Sequence, residues 1–75
     1  MVELVKYIAT SLVDKPEGVV VTEKQGDKAT IIELTVAPED MGKVIGKQGR
    51  IAKAIRTVVK AASIKENKKY IVEII

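Results

Sequence analysis

A chain of 75 residues with net charge +3 and no cysteine, histidine, phenylalanine or tryptophan must fold around a small aliphatic core without disulfides. The missing imidazole and thiol remove the usual general bases, nucleophiles and transition-metal ligands, which argues against an enzyme, a metal centre or a bound cofactor. No apolar run approaches the ~20 residues that span a bilayer, and Met1-Val2-Glu3-Leu4 has no basic segment followed by an apolar one, so the expectation is one cytosolic domain over residues 1–75 with no membrane association.

Leu4, Val5, Ile8, Ala9 and Leu12 recur at the spacing of one helix face, which predicts a helix over 2–13. Pro16 and Gly18 cannot continue it. Val19-Val20-Val21-Thr22 is β-branched throughout and reads as a strand. Gln25-Gly26-Asp27-Lys28 is a turn. Ala29 to Val36 follows as a second strand, with Ile32, Leu34 and Val36 on one side and Ile31, Glu33 and Thr35 on the other. The two strands make a hairpin.

Pro38 with Glu39 and Asp40 marks a helix start, since proline suits the first helical position and carboxylates suit the positive dipole end. That helix, Met41 to Ile45, stops at Gly46. Another begins at Gly49 or Arg50, placing Ile51, Ile55, Val58, Val59 and Ala62 on one face and Lys53, Arg56, Thr57 and Lys60 on the other. The lysine-rich stretch from Ser63 to Lys69 reads as a loop, and Tyr70 to Ile75 as a closing strand.

This order predicts an α+β fold: a two-layer sandwich, α-β-β-α-α-β, with a three-stranded mixed sheet and three helices on one face. The crossover into the last, parallel strand is expected to be right-handed. Ile31, Ile71 and Ile75 are left on the uncovered face, an apolar surface open to self-association.

Charge is divided along the chain. Residues 1–42 hold four lysines against eight carboxylates, whereas residues 43–75 hold nine Lys or Arg against Glu66 and Glu73. Such asymmetry suits a polyanion on one face. The basic half opens on Gly46-Lys47-Gln48-Gly49, set between two helices. Glycines there admit backbone angles that other residues resist and remove side chains that would hold a ligand away. The following helix offers unpaired N–H groups and its positive end at the same spot, beside Lys43, Lys47 and Arg50. The spacing rules out a P-loop, because Met41 stands where its first glycine belongs and Gln48 where its hydroxyl belongs. It also fails the dinucleotide fingerprint, the glycines falling at 42, 46 and 49.

Val44-Ile45-Gly46-Lys47-Gln48-Gly49 and the apolar helix after it resemble the I-G-x-x-G signature of the KH domain, and the element order resembles its type II, prokaryotic arrangement. The resemblance covers essentially the whole chain and is nearest to the small single-domain KH RNA-binding proteins of bacteria. It implies that the Gly46–Gly49 loop clamps the sugar-phosphate of about four single-stranded nucleotides. Lys47 and Gln48 would face that backbone, with Arg50 and Lys53 beside it. Ile45 and Ala52 would line the groove for bases, and Lys65, Lys68 and Lys69 would form its far rim. Many KH domains carry a larger aliphatic residue where this chain has Ala52, which implies a shallower base contact.

Tyr7 and Tyr70 are the only aromatic residues and both lie far in sequence from the loop, which disfavours readers that depend on stacking. Affinity is expected to come from phosphates and to fall with salt. The expected function is single-stranded RNA binding by a chaperone or post-transcriptional regulator. The resemblance also implies a homodimer, or a heterodimer with a larger KH-containing protein. A competing reading makes the domain a protein-interaction or dimerisation module whose glycines are only a tight turn. Catalysis finds no support: Ser11 and Ser63 lack an activating base, and Glu39 and Asp40 are accounted for by the helix start.

Overall fold

The computed structural model describes residues 1–75. Helix α1 spans Val2–Leu12, strand β1 Val20–Gln25, strand β2 Thr30–Thr35, helix α2 Met41–Ile45, helix α3 Arg50–Glu66 and strand β3 Tyr70–Ile74, with single 3₁₀ turns at Pro16–Gly18, Pro38–Asp40 and Lys47–Gly49.

β2 is the central strand. It pairs antiparallel with β1, Glu23 opposite Ile32, and parallel with β3, Ile32 opposite Val72. The inner face of the sheet contributes Ile32, Leu34, Val36 and Val72 to one buried cluster, which Val5 and Ala9 of α1, Val44 of α2, and Ile55 and Val59 of α3 complete from above. The helices therefore share one face of the sheet, and the two-layer α+β arrangement expected from the sequence is the one observed. Strict alternation along β2 is what allows this, since every second side chain enters the core. On the opposite face Val20, Ile71 and Ile75 are exposed, and Glu33 lies beside Glu73 in the parallel register.

Three boundaries differ from the expectation. β1 begins at Val20 and continues through Glu23, Lys24 and Gln25, because cross-strand pairing with β2 carries it past its β-branched run. The tight turn accordingly sits at Gly26–Ala29, closed by the Gly26 N–H donating to Ala29 O at 2.9 Å. α3 runs a full turn into the expected loop, to Glu66. Ser63 is buried and donates its hydroxyl to Lys60 O at 2.8 Å, so its polar side chain does not break the helix. Asn67 (φ 55°) closes the helix in the left-handed region. Its N–H donates to Ile64 O and that of Lys68 to Ser63 O, a Schellman closure with asparagine in the position usually held by glycine. Finally, Val58 does not join the core face and is 44% exposed, because the buried line of α3 follows Ala52, Ile55, Val59 and Ser63.

Candidate nucleic-acid interface

The turn between α2 and α3 is built from left-handed backbone. Gly46 (φ 78°), Gln48 (φ 58°) and Gly49 (φ 75°) all lie at positive φ, a region costly for a residue with a β-carbon. At Gly46 space is limiting as well: a β-carbon would meet Ile51 Cγ1 at 2.5 Å. At Gly49 nothing lies within 4 Å, so only the backbone angle demands glycine there. Gly46 N–H donates to Gly42 O at 2.8 Å and Gly49 N–H to Gly46 O at 3.1 Å, which fixes the loop from inside and leaves Lys47 and Gln48 exposed.

α3 starts directly from this loop. No side chain caps its N-terminus and its first turn holds no carboxylate; the Arg50 N–H donates to Lys47 O, and the positive dipole end lies beside Lys47 and Arg50. Arg50 Nη2 reaches Gln48 Oε1 at 3.4 Å. From there Lys53, Arg56 and Lys60 follow at i, i+3 and i+7 along one side of α3. The ion pairs of the molecule involve only Lys15 and Lys43, which leaves Lys47, Arg50, Lys53, Arg56 and Lys60 without carboxylate partners.

Beside this stripe lies a cavity of about 480 Å³ between α3 and the free edge of β3. Val59, Ile64, Tyr70 and Ile71 make its apolar surface, and Arg56, Lys60, Lys68 and Lys69 its basic one. Arg56 Nε donates to Val72 O at 3.3 Å, tying the helix to the strand across the groove. Tyr70 donates its hydroxyl to Glu66 Oε1 at 3.1 Å. Burial, this bond and the charges of Glu66 and Glu23 push its phenol above the usual range, so it stays neutral.

The residues singled out from sequence divide accordingly. Gly46, Lys47, Gln48, Gly49, Arg50 and Lys53 come together at the loop and the first turns of α3, and Ile45, 38% exposed, sits at the end of α2 next to them. Lys68 and Lys69 line the far end of the groove, but Lys65 is exposed without lining it. Two others stand apart from this set. Ala52 is only 5% exposed and packs inward along the buried line of α3, leaving its methyl no groove surface to offer. Lys43 is engaged elsewhere: it pairs with Asp14 and stands 3.5 Å from Asp40 Oδ1. The Asp14 contact above all, opposed by some desolvation and aided by Asp40, holds its ammonium above the ordinary range. Arg56, Lys60, Ile64 and Tyr70 were not singled out. The signal for the first two was available, since both lie on the polar side of a helix that starts at the glycine loop.

Comparison with known proteins gives the family. The family model described as KhpA/KhpB, KH domain, matches residues 2–74. The chain belongs to the KhpA/KhpB family of KH domains. Among curated proteins, the RNA-binding protein KhpA of Clostridium perfringens is 75% identical over the full length of both chains, and that of Clostridium acetobutylicum 67% identical over the same extent. A more distant KhpA, from Treponema pallidum, is 51% identical over 97% of this chain and 91% of its own. Among solved structures, Era from Aquifex aeolicus bound to GDP·AlF4− matches at a TM-score of 0.66 and 21% identity, over 97% of this chain and 28% of Era. Era in complex with MgGDPNP and nucleotides 1506–1542 of 16S ribosomal RNA matches to the same extent. At that identity the Era likeness speaks to the KH fold alone.

Proposed function

We propose that residues 1–75 act as one non-catalytic RNA-binding domain that grips single-stranded RNA by its backbone, as an RNA chaperone or post-transcriptional regulator in the cytoplasm. The observation that carries this reading is the uncapped start of α3, delivered by a loop at positive φ and continued by unpaired cations along an apolar groove. Phosphates would sit against the Gly46–Gly49 backbone, Lys47 and Arg50, where N–H groups and full charges converge. Bases would then lie toward Ile45 and into the groove lined by Val59, Ile64 and Ile71. With few polar side chains aimed at base edges, sequence preference is expected to be broad.

The curated relatives named RNA-binding protein KhpA support this reading. The test is the double substitution Lys47→Asp with Gln48→Asp. Both side chains are exposed and aspartate tolerates left-handed backbone, so the fold should persist. Fluorescence anisotropy with a labelled oligoribonucleotide should show binding by the wild type and none by the variant. Equal binding by both would refute the loop's role.

Pairing with a second KH chain, a further copy or a larger KH-containing protein, belongs to the same proposal and would raise affinity by avidity. The surface best suited to it lies between α1 and α3, where Ile8, Leu12, Ile51, Ala54, Ile55 and Val58 line a depression with no polar contribution. The open face of the sheet suits it less, because Glu33 and Glu73 interrupt Ile31, Ile71 and Ile75.

A further inference from the structure

We propose that the RNA path continues beyond the α3–β3 groove onto a second phosphate-binding patch at the β1–β2 turn, formed by Lys28 with Lys68 and Lys69. The inference rests on the RNA-binding reading and enlarges its footprint past the four nucleotides that a GxxG loop clamps.

Topology brings these residues together. α3 carries the chain roughly 26 Å away from the glycine loop, at ~1.5 Å per residue over its 17 residues. It delivers Lys68 and Lys69 to the end of the sheet where β2 begins and β1 ends. Thr30 N–H donates to Lys69 O at 2.9 Å, so the segment before β3 is fastened to the base of the hairpin. Between them lies an open cleft of about 320 Å³, walled by Gln25, Gly26, Lys28 and Thr30 on one side and by Lys68 and Lys69 on the other.

This cleft and the α3–β3 groove share Lys68 and Lys69, which makes them consecutive stations on one surface. Their chemistry differs in the way a single strand requires. The groove is largely apolar, fit for bases. The cleft contains Ala29 as its sole apolar residue and offers three ammonium groups, fit for phosphates. Asp27 is the only carboxylate in its lining, and neither Lys28 nor its two companions forms an ion pair. Lys28 escapes a reading of charge by sequence halves because it belongs to the acidic half. Only the hairpin turn carries it to the basic side.

The two anion sites are also electrostatically independent. Their separation is well over the ~8 Å Debye length at physiological ionic strength, so a charge at the turn scarcely alters the field at the loop. A substitution at Lys28 should therefore act only on a strand long enough to reach it.

The experiment compares wild type, Lys28→Glu, and the Lys47→Asp, Gln48→Asp double variant against labelled oligouridylates of about four and about ten nucleotides. For the longer strand, Lys28→Glu should weaken binding roughly fivefold and flatten the slope of log affinity against log salt by about 0.7. For the shorter strand it should leave affinity unchanged. Unaltered affinity for the longer strand, or equal loss for both strands, overturns the extension. If the loop variant itself retains full binding of the longer strand, the RNA-binding reading beneath it falls instead. Lys28→Gln, which removes the charge without reversing it, should give a smaller loss in the same direction.

Discussion

The buried carboxylate of Asp40 accepts the main-chain N–H of Lys15 at 3.0 Å, and its second oxygen accepts that of Asp14 at 3.2 Å. One side chain at the head of α2, only 1% exposed, thereby anchors the connection between α1 and β1. Lys43 stands over the same carboxylate and pairs with Asp14, while Lys15 pairs with Glu39, so the segments 14–15 and 39–43 are laced together. This lacing fixes where α2 starts, five residues ahead of the glycine loop that ends it.

Asp40 therefore carries a stability signature in pH. Burial opposes its ionisation but is outweighed by the N–H groups of Lys15 and Asp14 and the charge of Lys43, which hold its carboxyl below the ordinary 3.8. A carboxyl depressed in the folded state adds stability above its unfolded pKa and loses it as pH falls through its folded one. Asp40→Ala should lower the thermal midpoint at pH 7 by roughly 10 °C, leaving the part-buried N–H groups of Asp14 and Lys15 without their acceptor. That gap between wild type and variant should shrink as pH drops below about 3.8, which melting curves followed by circular dichroism would check.

The two loop glycines should respond unequally to alanine. Gly49→Ala meets only the left-handed backbone and should cost about 1 kcal/mol. Gly46→Ala adds a collision with Ile51 to the same strain and should cost about 3 kcal/mol. Urea unfolding of both variants measures the difference. Similar losses would mean that Ile51 moves aside freely.

Ala52 bears on how the groove is built. A larger aliphatic residue there would not deepen a base pocket, since the site lies within the core line of α3. Ala52→Ile should destabilise by about 1–3 kcal/mol through overpacking, with no gain in RNA affinity. A gain would return Ala52 to the groove.

Arg56 should matter for geometry as well as charge. Arg56→Lys keeps the cation but loses the planar Nε–H that donates to Val72 O. Arg56→Ala should weaken RNA binding several-fold and reduce the salt slope by about 0.7, and Arg56→Lys should recover the slope but only part of the affinity. Full recovery by lysine would reduce Arg56 to a point charge.

Much of this was legible in the sequence because its periods are clean. The alternation Ile32, Leu34, Val36 named the inner face of β2, and the interval between Gly46 and Gly49 located the loop. What escaped depended on tertiary contacts. Lys43 reads as a free cation until Asp14, 29 residues earlier, is seen to hold it. Ala52 is adjacent to basic residues in sequence, yet the roll of α3 about its axis turns it inward. The last turn of α3 was hidden because Ser63 and its lysines resemble a loop, whereas Ser63 bonds within the helix and Asn67 supplies the stop. Lys28 became part of the basic surface only through the hairpin.

The central claim is that unpaired cations around the start of α3 hold a single-stranded phosphate backbone. Its most direct test is the affinity of the wild-type chain for a labelled single-stranded oligoribonucleotide, measured by anisotropy across a range of salt. Binding that is firm at low salt and falls linearly in log–log form, by about 0.7 per phosphate held, is the expected result. No binding at low salt, or binding indifferent to salt, would contradict it.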